Sequence, residues 1–214
     1  MGKYYPVCLD LSGKKCLVVG GGKVALHKAR DLLSAGADVT AAAPRFDRGF
    51  QRLKDVKLLR KAYGPADLRG CAVVIAATSD PEVNKQVCLD ARRRKVLVNV
   101  VDMPRMCDFI VPAVLRRGDM TISVSTGGAS PMLARKIKED LGKRYPACYA
   151  RYVRFSGEMR RLARQKLPAG KRGKLLKDIV YGRAWSLLNS KGVRAARQYV
   201  LKTLRKPPRK INRD

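Results

Sequence analysis

Residues 16–25 read Cys16-Leu17-Val18-Val19-Gly20-Gly21-Gly22-Lys23-Val24-Ala25: a short apolar run, three glycines, then the start of a helical pattern. A strand that must turn directly into a helix needs a corner without a Cβ, and Gly20 supplies it. Gly22 leaves the backbone open to a pyrophosphate, and Ala25 is small enough for the helix to lie against the strand. The spacing is the G-x-G-x-x-A form of a dinucleotide-binding turn. Unpaired N–H groups at the helix N-terminus, together with its macrodipole, complete a site for an anion. A plain glycine-rich loop shares this spacing, so the surroundings decide between the two.

Those surroundings are a βαβ unit. Val24 to Ala35 repeats apolar residues at helical spacing (Val24, Ala25, Ala29, Leu32, Leu33), Gly36 stops the helix, and Asp38 to Ala43 follows as a strand. Strand, glycine turn, helix and strand within about 30 residues is the building block of a doubly wound parallel sheet. Ala72 to Thr78 and Val96 to Val101 are continuous apolar runs, as expected of strands buried on both faces. Asp80 to Arg92 reads as the crossover helix between them, with Asp80 as cap and Pro81 in the first turn. Met120 to Ser125 alternates like a strand and Pro131 to Leu141 reads as a helix. From Pro146 the pattern is helical, broken at Pro168-Ala169-Gly170 and around Gly192, with Trp185, Leu187 and Leu188 as core candidates.

Five blocks in fixed order make a more specific pattern than the turn alone. They are Gly20-Gly21-Gly22-Lys23-Val24-Ala25 with Lys28-Ala29; Ala76-Ala77-Thr78 with Asp80 and Asn84; Asn99-Val100-Val101-Asp102-Met103-Pro104; Phe109-Ile110-Val111-Pro112; and Ser125-Thr126-Gly127-Gly128-Ala129-Ser130-Pro131 with Leu133-Ala134-Arg135. Over roughly residues 1–150 this order closely resembles the precorrin-2 dehydrogenase / sirohydrochlorin ferrochelatase family of sirohaem synthesis. The resemblance implies NAD-dependent oxidation of precorrin-2 to sirohydrochlorin and, in bifunctional members, insertion of Fe2+ into the product. It also implies a homodimer built from a Rossmann-type domain, a small α+β dimerisation domain and a helical C-terminal domain. The corresponding boundaries are 1–112, 113–147 and 148–214, the last a basic helical domain with a flexible tail. Some members carry a fused methyltransferase domain, for which 214 residues leave no room.

At 46% apolar residues the composition is ordinary for a globular protein. No run of about 20 apolar residues is present and the N-terminus lacks a signal-type apolar core, so a soluble cytoplasmic protein is expected. Six cysteines without C-x-x-C spacing point to reduced, mostly packed thiols rather than a zinc site or a disulfide framework. The charge is unusual: 47 Lys and Arg against 17 Asp and Glu give +30, and residues 151–214 hold 20 basic residues and three acidic ones. Such a field attracts polyanions, either a substrate with many carboxylates or a nucleic acid. The segment lacks a ribonucleoprotein signature, paired Cys and His ligands or a heptad zipper. Simple solubility also accounts for the distal run Arg205-Lys206-Pro207-Pro208-Arg209-Lys210.

Asp102 is the candidate for chemistry. It follows the strand Val96 to Val101, at the carboxyl edge where doubly wound sheets bind ligands. A carboxylate there can act as general base, taking a proton from the macrocycle as hydride leaves. The family places its catalytic aspartate in this block, and Asp102 matches it; the competing reading is an aspartate that stabilises the turn before Met103-Pro104. Asp108 is the other acid nearby. His27, the single histidine, sits on the first helix without a G-x-S-x-G elbow, so neither a Ser-His-Asp triad nor a resident metal is expected. Where, as in bifunctional members of the family, iron is inserted, it is expected to enter as substrate, with the macrocycle nitrogens and Asp102 as transient ligands.

The loop Ser125 to Pro131 is the second patch. Gly127 and Gly128 free the backbone, Ser130 suits an N-cap and Pro131 the first helical position, so the loop offers N–H groups to substrate carboxylates. Thr126 matches a position where the family tends to carry a small hydroxyl residue. An ordinary capped turn is the alternative. For the cofactor, Gly20, Gly21, Gly22, Lys23, Val24, Pro44, Arg45 and Thr78 form the expected binding set. The second strand ends Ala41-Ala42-Ala43-Pro44-Arg45 without the acid that usually binds a ribose 2′-hydroxyl, and Arg45 suits a 2′-phosphate. The resemblance implies NAD, with the adenosine held by backbone at Pro44 and Arg45; NADP is the alternative. An NAD(P)-sensing regulatory module would share the turn without needing Asp102, and a nucleic-acid-binding protein would need the basic segment without the turn.

Overall fold

Five apolar runs form one parallel sheet in the computed structural model, which describes residues 4–205. The strands are β1 (Lys15–Val19), β2 (Asp38–Ala42), β3 (Val56–Leu59), β4 (Cys71–Ala76) and β5 (Leu97–Val100), in the order β3-β2-β1-β4-β5 with every pair parallel. The doubly wound α/β reading is therefore correct. Strand order reverses between β1 and β4, and the crevice beyond their carboxyl ends is where such sheets bind ligands.

Alternation along the central strands builds two cores. Val18 of β1 and Ile75 of β4 face helix α1 (Lys23–Ser34), which contributes Ala25, Leu26, Ala29 and Leu32. Leu17, Val19 and Val74 point the other way, towards Val87, Cys88 and Ala91 of helix α2 (Pro81–Arg93). Asp80 caps α2 as expected, its Oδ1 accepting from the N–H groups of Glu82 at 2.9 Å and Val83 at 3.3 Å. Several sequence expectations shift. Val24 is half exposed, and Leu26 occupies the buried face in its place, because the stripe that meets the sheet is 25, 26, 29 and 32. The strands end earlier than their apolar runs, at Ala42, Ala76 and Val100. Edge strand β3, with an exposed lysine in its four residues, carries too little pattern to be read.

The chain divides into two compact units, Met1–Val111 with Gly127–Ala129, and Pro112–Thr126 with Ser130–Asp214. In the second, β6 (Ala113–Arg117) and β7 (Met120–Val124) form an antiparallel hairpin around the two-residue turn Gly118-Asp119. The hairpin packs on helix α3 (Pro131–Arg144), and Arg117 donates to the carbonyls of Tyr145 and Gly142 at the end of that helix. Helices α4 (Tyr149–Lys166), α5 (Ala169–Tyr181) and α6 (Arg183–Arg205) close around Phe155, Met159, Ile179, Leu188 and Val200. The break at Pro168 and the interruption of α6 at Gly192 (φ +81°) fall where the sequence put them. The break at Gly182 was not anticipated. Leu188 is buried, whereas Trp185 and Leu187 sit at the edge of this core. No helix among the described residues is long and apolar enough to cross a membrane. Of the distal basic run 205–210, Arg205 ends α6 and the rest lies outside the described residues.

Candidate functional site

The glycine turn is built by close backbone approaches. Gly20 has φ +130°, and a Cβ there would overlap the carbonyl oxygen of Ala77 at the end of β4. A Cβ on Gly21 would overlap the carbonyl oxygen of Arg45, and the Gly21 carbonyl accepts the Asp47 N–H at 2.7 Å. Gly22 differs from both: a Cβ there would meet no atom of the protein. It is the N-cap of α1, with no side-chain cap and no acid in the first turn, so the N–H groups of that turn are left for an external acceptor. Two glycines are thus demanded by the protein's own packing, and the third leaves space for a ligand.

These residues line a cleft of about 860 Å³ at the carboxyl edge of the sheet. Its walls contain Gly20, Gly21, Gly22, Lys23 and Val24 from the turn and α1, Pro44 and Arg45 after β2, Thr78 to Asp80 after β4, and Val101 and Asp102 after β5. Every expected cofactor residue and Asp102 therefore meet in one place. The size falls in the range of about 300–1,000 Å³ typical of small-molecule and cofactor sites.

Three further residues shape the cleft and were not singled out from the sequence: Ala62, Tyr63 and Val83. Tyr63 donates its hydroxyl to Asp90 at 3.1 Å; desolvation first, and then the Asp90 carboxylate, push its pKa well above that of an ordinary phenol, so it remains neutral. Asp90 is buried and also accepts from Gln86 and Arg93; these hydrogen bonds outweigh its own desolvation and lower its pKa. Tyr63 follows the edge strand that had no readable pattern, so no signal pointed to it. Buried Asn84 on α2 braces the loop after β4: its Oδ1 accepts from the Thr78 N–H at 3.2 Å and hydroxyl at 2.9 Å, and its Nδ2 donates to the Thr78 carbonyl at 3.1 Å.

The acids near this edge separate by what occupies them. Asp47 accepts from the Gly49 N–H at 2.7 Å and caps the short 3-10 turn Arg48–Arg52. It is the first acid after β2, so none remains there for a ribose hydroxyl. Asp80 is spent on the α2 cap. Asp108 accepts from the Val98 N–H at 3.1 Å, pairs with Arg92 at 3.9 Å, and does not line the cleft. Asp102 is exposed on the cleft wall, and among the described residues its carboxylate has no hydrogen-bond or ionic partner. Its backbone is left-handed, φ +60°. His27 is exposed on α1, 3.5 Å from Asp31.

The loop Thr126, Gly127, Gly128 and Ser130 joins β7 to α3 and is not part of this cleft's lining. Gly127 and Gly128 have φ of +63° and +90°. Ser130 caps α3 as expected, accepting from the Leu133 N–H at 3.3 Å. The Thr126 hydroxyl donates to the Ser130 carbonyl at 3.1 Å and accepts its N–H at 3.0 Å, so its donor is already engaged within the loop. All six cysteines are free; Cys8 is exposed and the other five are buried or partly buried. No cluster of three or more His, Cys, Asp or Glu among the described residues is arranged to hold a metal ion.

Comparison with known proteins points the same way as the geometry. Residues 7–113 match the family model described as "Putative NAD(P)-binding", and residues 117–144 match the sirohaem biosynthesis protein central domain. The "Siroheme synthase" of Nitrosococcus oceani is 39% identical over 168 residues, covering 77% of this chain and 36% of that protein. That of Nitrosomonas eutropha is 34% identical over 206 residues, covering 94% and 43%. The chain thus spans less than half the length of these curated relatives. The solved structure of SirC, a precorrin-2 dehydrogenase, superposes with a TM-score of 0.77 at 31% identity, covering 93% of this chain and all of that one.

Proposed function

The chain belongs to the precorrin-2 dehydrogenase / sirohydrochlorin ferrochelatase family of sirohaem synthesis, and we propose that it oxidises precorrin-2 to sirohydrochlorin with NAD as hydride acceptor. The observation that carries this reading is the unpartnered carboxylate of Asp102 on the same cleft wall as the Gly20–Gly22 turn. The open space at Gly22 and the uncapped first turn of α1 suit a pyrophosphate. Lys23 adds a positive charge beside it, Pro44 and Arg45 border the adenosine side, and Thr78, braced by Asn84, borders the nicotinamide side. A nicotinamide bound there would supply the acceptor for the hydride. Asp102 takes the proton that must leave the macrocycle with it, a role that requires a carboxylate with free lone pairs. NAD is chosen over NADP on the family resemblance, and paired titrations with the two dinucleotides test the choice.

Substrate carboxylates are assigned to the loop Thr126, Gly127, Gly128 and Ser130 through its backbone, the Thr126 hydroxyl being the brace that shapes the loop, and the basic excess is assigned to steering this polyanion. Iron insertion is a second use for Asp102, since the pyrrole nitrogens must lose protons as Fe2+ enters; the name shared by the curated relatives supports it. Residues 113–147 are assigned to dimerisation. Helix α3 buries only Ala134 and leaves Met132, Leu133 and Ile137 exposed, at 84%, 50% and 37%, an apolar surface suited to a second copy. The deciding experiment incubates the protein with enzymatically prepared precorrin-2 and NAD. Appearance of the sirohydrochlorin spectrum with equimolar NADH is the expected result, and the absence of both refutes the assignment.

A further inference from the structure

Asp102 is held by its backbone alone, since its carboxylate has no partner among the described residues. A left-handed φ of +60° is uncommon for any residue but glycine and persists only where the surroundings enforce it. The turn itself offers little: the Met103 N–H reaches the Val100 carbonyl at 3.3 Å. The stronger restraint comes from a side chain five residues on. The Cys107 Sγ accepts the Val100 N–H at 3.2 Å, and its proton faces two carbonyls, Val100 at 3.2 Å and Met103 at 3.4 Å. One thiol therefore ties both ends of the turn that carries Asp102.

The thiol is itself fixed in place. Asn99, buried in β5, donates to the Phe109 carbonyl at 2.9 Å and approaches the Cys107 sulfur at 3.5 Å. The Asp108 N–H donates to the Val98 carbonyl at 2.8 Å while its carboxylate accepts the Val98 N–H, so residues 107–109 run along the edge of β5. From α2, the Cys88 thiol donates to the Met106 carbonyl at 3.4 Å. Desolvation, ahead of the other influences on it, pushes the Cys107 pKa up, which keeps the proton needed for donation. Cys107 does not line the cleft, so it is placed to act on the turn and not on the ligand.

We propose that Cys107 is a positioning residue for the reaction, its thiol clamping Val100 and Met103 so that the Asp102 carboxylate points at the proton it removes. This rests on the function proposed above. The clamp predicts a split that a merely structural residue would not give. In Cys107→Ala, kcat for precorrin-2 at saturating NAD falls about 10- to 100-fold, the loss expected when a catalytic group is misplaced by about 1 Å. The Kd for NAD stays within about twofold, because the Gly20–Gly22 turn is built by other contacts. Amide hydrogen exchange at Val100 speeds up. Cys107→Ser, which can still donate and accept, recovers most of kcat. Should the alanine variant not fold, Cys107→Val, similar in volume but without a donor, carries the same expectation. A folded alanine or valine variant with wild-type kcat overturns the inference alone, as does a serine variant no better than alanine, or NAD affinity falling in step with kcat. Wild-type protein that fails to oxidise precorrin-2 overturns the proposed function and the role of Cys107 with it.

Discussion

Replacing Gly22 by Asp separates folding from cofactor binding in a way the structure quantifies. A Cβ at this position meets no protein atom, and φ −81° with ψ −176° is ordinary extended backbone, so no strain is introduced. Gly22 is also the N-cap of α1, where aspartate is among the preferred residues because its carboxylate accepts from the N–H groups two and three positions on, here Val24 and Ala25. The variant should gain a few tenths of a kcal/mol from the cap, with a further contribution of about 0.3–1 kcal/mol from the helix dipole. The same carboxylate occupies the donors a pyrophosphate needs and places a like charge about 4 Å from it, worth about 4 kcal/mol at an effective dielectric of about 20. At about 1.4 kcal/mol per tenfold, NAD binding weakens on the order of 10³-fold. Calorimetric titration with NAD and a thermal melt on the same sample check both halves: Tm unchanged or raised, and affinity lost. Gly21→Ala is the contrast, since its Cβ meets the Arg45 carbonyl and should cost about 1–3 kcal/mol of stability. Unchanged NAD affinity in folded Gly22→Asp would refute the assignment of the cleft.

Asp102→Asn should keep fold and NAD affinity, because asparagine tolerates positive φ, while dehydrogenation falls about 10²–10⁴-fold and iron insertion slows with it; full turnover would leave Asp102 as a turn residue only. With a steering field, kcat/KM for precorrin-2 should drop as salt rises while kcat changes little; salt-insensitive turnover together with tight DNA binding at physiological salt would favour a nucleic-acid partner. Sedimentation at micromolar concentration should give a dimer that Ile137→Glu dissociates, and a wild-type monomer would remove that assignment. Phe155→Ala, which empties a position 2% exposed at the centre of the helical core, should cost about 3–5 kcal/mol in chemical denaturation, and a loss below about 1 kcal/mol would show that this core repacks freely.

The parts of the fold that could be read from the sequence were those where one physical demand dominates. Strands β1 and β4 are buried on both faces and read as unbroken apolar runs, and Asp80 with Pro81 marks the start of α2 because a cap and a first-turn proline have few other uses. Strand β3 was missed because an edge strand of four residues answers to several weak demands at once, and Tyr63 was missed with it. The glycine turn was read correctly as a unit but not glycine by glycine. That Gly21 is required by the Arg45 carbonyl depends on a neighbour 24 positions away, which spacing cannot reveal. The same holds for the Thr126 hydroxyl: its value as a ligand contact depends on whether Ser130 takes it, and only the loop's geometry decides that.

Chemistry at the sheet edge is assigned best by asking which groups the fold has left over. Asp47, Asp80 and Asp108 all stand near the carboxyl ends of the strands, carboxylates like Asp102. Each of the three satisfies backbone N–H groups that would otherwise be orphaned: Gly49 at the 3-10 turn, Glu82 and Val83 at the start of α2, and Val98 on the edge of β5. Removing one of these carboxylates costs stability through a lost cap or a lost edge contact, typically about 0.5–2 kcal/mol for a cap. Asp102 satisfies no backbone group and sits in a conformation that a glycine or an asparagine would adopt more readily. The fold gains nothing from an acid there, and the turn is held from outside by the Cys107 thiol. An unpartnered carboxylate at positive φ, on the wall of the cleft that the glycine turn opens, fits the general-base role proposed for it.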